Sequence, residues 1–335
     1  METHGEVRPN AWRNPTLLSH SLILASHSCP VKRPIRSVAH LCDRFTCVPR
    51  VSRLEYPHVA TESMYLEFLG LREKPFAITA DPSFLYLSKK HREALSHMVY
   101  GIRERKGFIE ITGEIGTGKT TLCKALLRHL DPTTRTALIL HPTLSELQLL
   151  QSVVQDFGMN PMHGGRLNLF NQLNQFLLEQ AGLGNNIVLV IDEAQNLSLR
   201  LLEQIRMLSN LETDKDKLIQ IILVGQPQLR EKLALPALEQ LRQRIGVRYH
   251  ISPLDRDEVR TYIDHRLRIA GSDGTLEWTS DGVDEVYQLS KGIPRLINLI
   301  CDRTLLACYV FRIKRVEPDI VRRSYQELEG QVVVS

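Results

Sequence analysis

Nothing in these 335 residues approaches a run of 18 apolar residues, which excludes a transmembrane helix on the sequence pattern. The stretch "SLILAS" (21–26) is too short, and the Ser-Cys-Pro and basic residues after it make a poor signal peptide. Cysteine is scarce: of six, Cys29, Cys42 and Cys47 lie in the first 63 residues, with a C-x₄-C spacing that is weak for zinc. Cys123, Cys301 and Cys308 stand singly in helical patterns, show no metal spacing and read as small buried hydrophobes in a reducing compartment. An excess of one charge is also missing. The net charge is +4, and residues 1–63 hold eight Lys/Arg against five Asp/Glu, leaving 34 against 33 for the remainder. That balance argues against a large nucleic-acid footprint built on charge, though not against a local basic patch.

What is present is ordinary globular material, 43% hydrophobic and 24% charged, in a chain long enough for two or three folding units. Residues 1–63 show no sustained periodicity and hold five of the twelve histidines. They are expected to be a flexible tail or, preferred here because a family resemblance that begins at Met64 implies it, a stretch upstream of a true start at Met64. A linker and helix are expected over 64–105. From 106 to 252, apolar runs at 107–112, 136–140, 186–191, 218–224 and 246–251 alternate with helical stretches around 118–130, 143–157, 166–182, 197–211 and 236–244. Alternation of this kind predicts a parallel sheet flanked by helices. Beyond 253 no strand signal remains. Asp255 with Glu258 predicts a capped helix stopping at Gly271, and further helices near 279–290, 293–310 and 317–328 predict a small all-helical domain over 253–330, with 331–335 as a tail.

One motif turns this architecture toward chemistry. "GEIGTGKTT" comprises Gly113, Glu114, Ile115, Gly116, Thr117, Gly118, Lys119, Thr120 and Thr121, and it fits G-x-x-x-x-G-K-[ST]. Glycines let successive backbone N–H groups point inward, and the following helix offers its positive end to phosphate. Lys119 would reach the β- and γ-phosphates of ATP, and the Thr120 hydroxyl would ligate Mg²⁺. "IVLVIDEAQNL" (187–197) ends an apolar strand in Asp192, suited to holding Mg²⁺ in part through water, and Glu193, suited to polarising an attacking water. Gln226 ends the next strand and could orient that water. Arg244 lies between a helix and the last strand, and Arg295 opens a helix of the small domain; an isolated arginine is as easily a solubilising surface residue.

Taken with "MYLEFLGLREKPFAITADPSFLYLSKKHREAL" (64–95), "IRMLSNLETDKDKLIQIILVGQPQL", "LRQRIGVRYHISPL" and "GIPRLINLICDRTLL", these motifs resemble the AAA+ ATPases of the general secretion pathway protein A type, over about 64–330. The resemblance implies a P-loop AAA+ core followed by a helical lid. It makes Lys119 and Thr120 the phosphate and Mg²⁺ contacts, Asp192 and Glu193 the Walker B pair, Gln226 sensor 1, Arg244 the arginine finger and Arg295 sensor 2. A finger acting in trans implies a homo-oligomer. The family implies ATP hydrolysis that assembles or remodels a bacterial envelope machine (secretion system, pilus or polysaccharide exporter), from the cytoplasm or peripherally at the inner membrane. Full-length members often add a membrane span and a peptidoglycan-binding domain. Neither follows before Ser335, so the shorter relatives, acting through partners, are the expected comparison. The base of ATP is expected between core and lid, under the stretch before the first strand, where Phe76 and Tyr86 are either its cover or packing for the linker. The competing reading is a DNA-binding AAA+ regulator of the transposition-ATPase type. Near-neutral charge after residue 63, and no trailing winged-helix-sized segment, weigh against DNA as the partner.

Overall fold

Five apolar runs form five parallel strands: β1 (Phe108–Gly113), β2 (Arg135–Ile139), β3 (Ile187–Ile191), β4 (Gln220–Gly225) and β5 (Ile245–Ile251), in the spatial order β2-β3-β4-β1-β5. The computed structural model describes residues 61–77, 82–140, 142, 144–212 and 217–330. The expectations for residues 1–60 and 331–335 lie outside the described residues. A parallel sheet needs apolar cover on both faces, which is why its strands read as continuous hydrophobic runs. Successive side chains of β3 point to opposite sides. Ile187, Leu189 and Ile191 pack with Leu149, Val153, Leu169, Leu173, Leu202 and Ile205, from α4 (Glu146–Asp156), α5 (Arg166–Gly182) and α6 (Leu199–Leu208). Val188 and Val190 pack on the other face with Met98, Ile102, Leu122 and Leu126, from α2 (Lys89–Arg103) and α3 (Lys119–His129).

Two short helices, α7 (Pro227–Leu233) and α8 (Glu239–Gln243), lie between β4 and β5. The sequence pattern signalled only the second. α7 is seven residues with proline in its first turn, too short to display an amphipathic period.

The C-terminal part is helical, as expected: α9 (Arg256–Ile269), α10 (Ser280–Ser290), α11 (Pro294–Phe311) and α12 (Pro318–Leu328). Asp255 and Glu258 form the anticipated capping box at the start of α9, and Gly271 follows its end at φ +73°. One addition is a parallel pair of two-residue strands, β6 (Glu277–Trp278) and β7 (Arg315–Val316). Two residues are too few to produce a period-2 signal.

The stretch before α2, unlike α2 itself, packs with the helical domain rather than with the α/β core. Beginning in α1 (Thr61–Phe68), the buried side chains of Tyr65, Leu69, Leu71, Phe76 and Phe84 share one apolar cluster with Val259, Ile263, Ile297 and Ile300. Phe76 meets Trp278 edge-on at 6.3 Å. Buried Arg266 fastens the segment: its guanidinium donates to the carbonyls of Pro75 and Ala77 and to the Tyr262 hydroxyl, and lies 4.9 Å over the Phe84 ring. Those donors satisfy two loop carbonyls, that of buried Pro75 among them. The three described cysteines are free and buried, and burial pushes the Cys308 thiol up to about 11.

Candidate nucleotide site

The sheet order decides where the motifs meet. β4 lies between β1 and β3, so its C-terminal end separates the glycine loop after β1 from the Asp-Glu pair after β3. All three ends open on one cavity of about 420 Å³, lined by Ile115 to Thr121, Glu193, Gln226 and Arg295 among others.

The loop is built to bring backbone close to a ligand. Gly116 sits at φ +81°, and a Cβ there would come within 2.7 Å of the Arg295 Cβ. Gly118 precedes α3 at φ +93° and offers no side-chain cap, so the first-turn amides of that helix have no side-chain acceptor from it. Such amides, at the positive end of a helix dipole, fit an anion. Lys119 is buried, and its ammonium donates to the carbonyls of Gly113 and Glu114, each at 2.8 Å. Burial lowers its pKa from the ordinary lysine value, while Glu193, Asp192 and Glu114 oppose that shift. Gly113 and Glu114 thus shape the loop through their carbonyls.

At the end of β3 the Thr120 hydroxyl donates to Asp192 Oδ2 at 2.5 Å, and Asp192 is 1% exposed. Glu193 takes a left-handed backbone conformation, φ +52° and ψ +35°. For a residue with a Cβ this conformation is uncommon, and such strain gathers at working sites. It is accompanied by a bond from the Glu193 N–H to Asp192 Oδ1 at 2.8 Å. The Glu193 carboxylate is in turn held by two amides: Gln195 Nε2 at 2.6 Å and Gln226 Nε2 at 3.2 Å, both on Oε2.

The two arginines separate. Arg295 lines the cavity, and its backbone N–H donates to Gly116 O at 3.2 Å, tying the helical domain to the loop. Arg244 is outside the cavity of its own chain. Its guanidinium is engaged by Ser209 and Asn210 at the end of α6. At the far end of the cavity lie Phe84, Leu85, Tyr86, Tyr262, Arg266 and Asn298. Tyr86 reaches the cavity and meets Tyr262 edge-on at 5.6 Å, whereas Phe76 packs on Trp278 and does not line it. Tyr262 and Arg266 are one helical turn apart on the buried face of α9, which reads in sequence as ordinary core spacing.

Sequence reasoning also missed His91. It is buried behind the loop, with Nε2 2.8 Å from the Thr117 carbonyl and Nδ1 2.8 Å from Ser88 Oγ. A carbonyl only accepts, so Nε2 carries the hydrogen, and in the neutral ring Nδ1 then accepts from the serine hydroxyl. The neutral ring is favoured: burial is the main reason its pKa lies below the usual histidine value, while the Thr117 bond and Glu258 pull the other way. A lowered pKa in the fold means stability that is complete above about pH 6.5, the unperturbed value, and is lost as pH falls below it. His91→Gln keeps an N–H for Thr117 but cannot titrate. The expected result is a smaller drop in melting temperature between about pH 7.5 and 5.5 than in the unsubstituted chain. Equal drops would show that His91 does not carry this linkage.

The fold and loop define a P-loop protein of the AAA class: residues 102–233 match the family described as AAA domain. The chain is 44% identical over 247 residues, 73% of its length, to General secretion pathway protein A of Aeromonas hydrophila, and it spans 45% of that protein. Over this region it belongs to the general secretion pathway protein A type of AAA proteins. Among solved structures it is similar to Drosophila ORC bound to DNA, with 17% identity, TM-score 0.60, and coverage of 87% of this chain and 71% of that one. It is also similar to Cdc6p from Pyrobaculum aerophilum, with 19% identity, TM-score 0.57, and coverage of 73% and 70%. At these identities the likeness shows the shared fold. No helix among the described residues is long and apolar enough to cross a membrane.

Proposed function

We propose that the chain hydrolyses ATP and uses the cycle to assemble or remodel a bacterial envelope machine of the secretion, pilus or polysaccharide-export kind. The observation that carries the hydrolytic part is the convergence of Lys119, Thr120, Glu193, Gln226 and Arg295 on one cavity, with Asp192 bonded behind Thr120. The phosphates would meet the loop amides and Lys119, with Arg295 facing them from the helical domain. Among the described residues no cluster of three or more His, Cys, Asp or Glu could hold a metal. Mg²⁺ would be held by the Thr120 hydroxyl and the Asp192 carboxylate, directly or through water, alongside phosphate oxygens. When bound it offsets phosphate charge. Glu193 would take the proton of the attacking water, with the Gln226 amide bonded to its carboxylate. Arg244, held outside its own cavity, would serve the site of a neighbouring subunit.

The envelope role rests on the 44% identity to General secretion pathway protein A. Its test is phosphate release by the intact chain with inner-membrane vesicles and, separately, with duplex DNA at low and high salt. Stimulation by the vesicles alone supports the proposal. Strong stimulation by DNA, weakening steeply as salt rises, would instead support the DNA-binding reading.

A further inference from the structure

Gln195 stands between the letters of the motif and has no role in the reading above except through its neighbours. Its surroundings are specific. The backbone N–H of Gln226 donates to Gln195 Oε1 at 3.0 Å, so that oxygen must face β4 and the amide nitrogen must face the other way. The nitrogen then meets Glu193 Oε2 at 2.6 Å, the same oxygen that takes the Gln226 amide at 3.2 Å. Three side chains and one backbone group close a ring of hydrogen bonds around a single carboxylate oxygen.

Two further features serve this ring. Gly225 has no left-handed backbone to explain it, but a Cβ there would lie 2.8 Å from Gln195 Oε1 and 2.9 Å from Leu229 Cδ2, so the glycine makes room for that amide as well as for Leu229. Lys232 of α7 donates to the backbone carbonyls of Gln195 and Leu197, which pins the turn that carries Gln195. The end of β4 thus leaves room for this glutamine, and the last turn of α7 holds the turn that carries it.

We infer that Gln195 is a positioning residue for Glu193. With Gln226 it fixes Oε2, so that Oε1 is the oxygen presented to water in the cavity. This rests on the hydrolytic reading, since positioning a proton acceptor matters only where a proton is taken. Geometry governs such a step steeply: a misplacement of about 1 Å can cost about 100-fold in rate. Two amides holding one oxygen should also behave as a unit, with substitutions that are not additive.

The test measures nucleotide affinity, phosphate release and melting temperature for the full chain and for Gln195→Ala, Gln195→Glu, Gln226→Ala and the double variant Gln195→Ala/Gln226→Ala. Gln195→Ala is expected to keep affinity within about twofold and to lose about 10- to 100-fold in kcat. Gln195→Glu preserves size but cannot donate, so its kcat should fall at least as far. The double variant should be little slower than the slower single one. Full kcat in both Gln195 variants, or losses that multiply in the double variant, would overturn the inference while leaving hydrolysis intact. Parallel losses of affinity and melting temperature would likewise overturn it, by showing a packing role. No turnover in the unsubstituted chain would overturn the hydrolytic reading itself, and this inference with it.

Discussion

Two inactive variants, Arg244→Ala and Lys119→Ala, are expected to recover phosphate release when mixed. Arg244 is held by Ser209 and Asn210 outside the cavity that its own chain forms, so an isolated subunit has no guanidinium of this origin facing its phosphates. If the residue acts on a neighbour, Arg244→Ala should bind ATP normally and hydrolyse it about 10³-fold or more slowly, the scale on which an arginine finger acts in related phosphoryl transfer. Activity of the unsubstituted chain should rise more than linearly with protein concentration. In the mixture, an Arg244→Ala subunit supplies an intact loop and a Lys119→Ala subunit supplies an intact finger, so a fraction of interfaces is complete. No recovery, in mixtures shown by sizing to co-assemble, would mean that Arg244 acts within its own subunit or not at all.

Lys119→Ala alone is expected to abolish nucleotide binding at ordinary concentrations. The side chain is buried, and its two hydrogen bonds to Gly113 and Glu114 aim the ammonium into the bend of the loop. Its removal deletes the one cation within the loop and leaves two carbonyls without their donor. Charge-assisted hydrogen bonds contribute about 1.5–3 kcal/mol each. Losing one or two such contacts to phosphate weakens binding by roughly 10- to 10⁴-fold. The check is the shift in melting temperature on adding ATP, which should be present in the unsubstituted chain and absent in Lys119→Ala. An undiminished shift would remove Lys119 from the site.

The features legible in sequence were those written locally. Strands such as "IVLVI" declare themselves because both faces of a parallel sheet are buried, and the glycine loop because few other sequences curl backbone in that way. What stayed illegible depends on contacts between distant residues. Arg266 bonds Pro75 and Ala77 from 191 and 189 positions away, and that pairing helps to put the linker on the helical domain. His91 reaches Thr117 from a helix whose pattern looks merely amphipathic. Gln195 became visible only because β4 inserts between β1 and β3, an order that the chain sequence does not reveal. Asp192, Glu193 and Gln226 could be singled out as strand ends; that Gln226 bonds the Glu193 carboxylate directly could not.

The most direct test of hydrolysis at this site is a paired measurement on Glu193→Gln: ATP bound per chain, and phosphate released from that bound ATP in a single turnover. Loss of the carboxylate removes the proton acceptor but leaves the loop, Lys119 and the Thr120–Asp192 pair in place. The expected result is nucleotide retained at the level of the unsubstituted chain, with phosphate release slowed at least about 100-fold. Phosphate released at the parental rate would contradict the assignment of Glu193, and with it the account of how this cavity hydrolyses ATP.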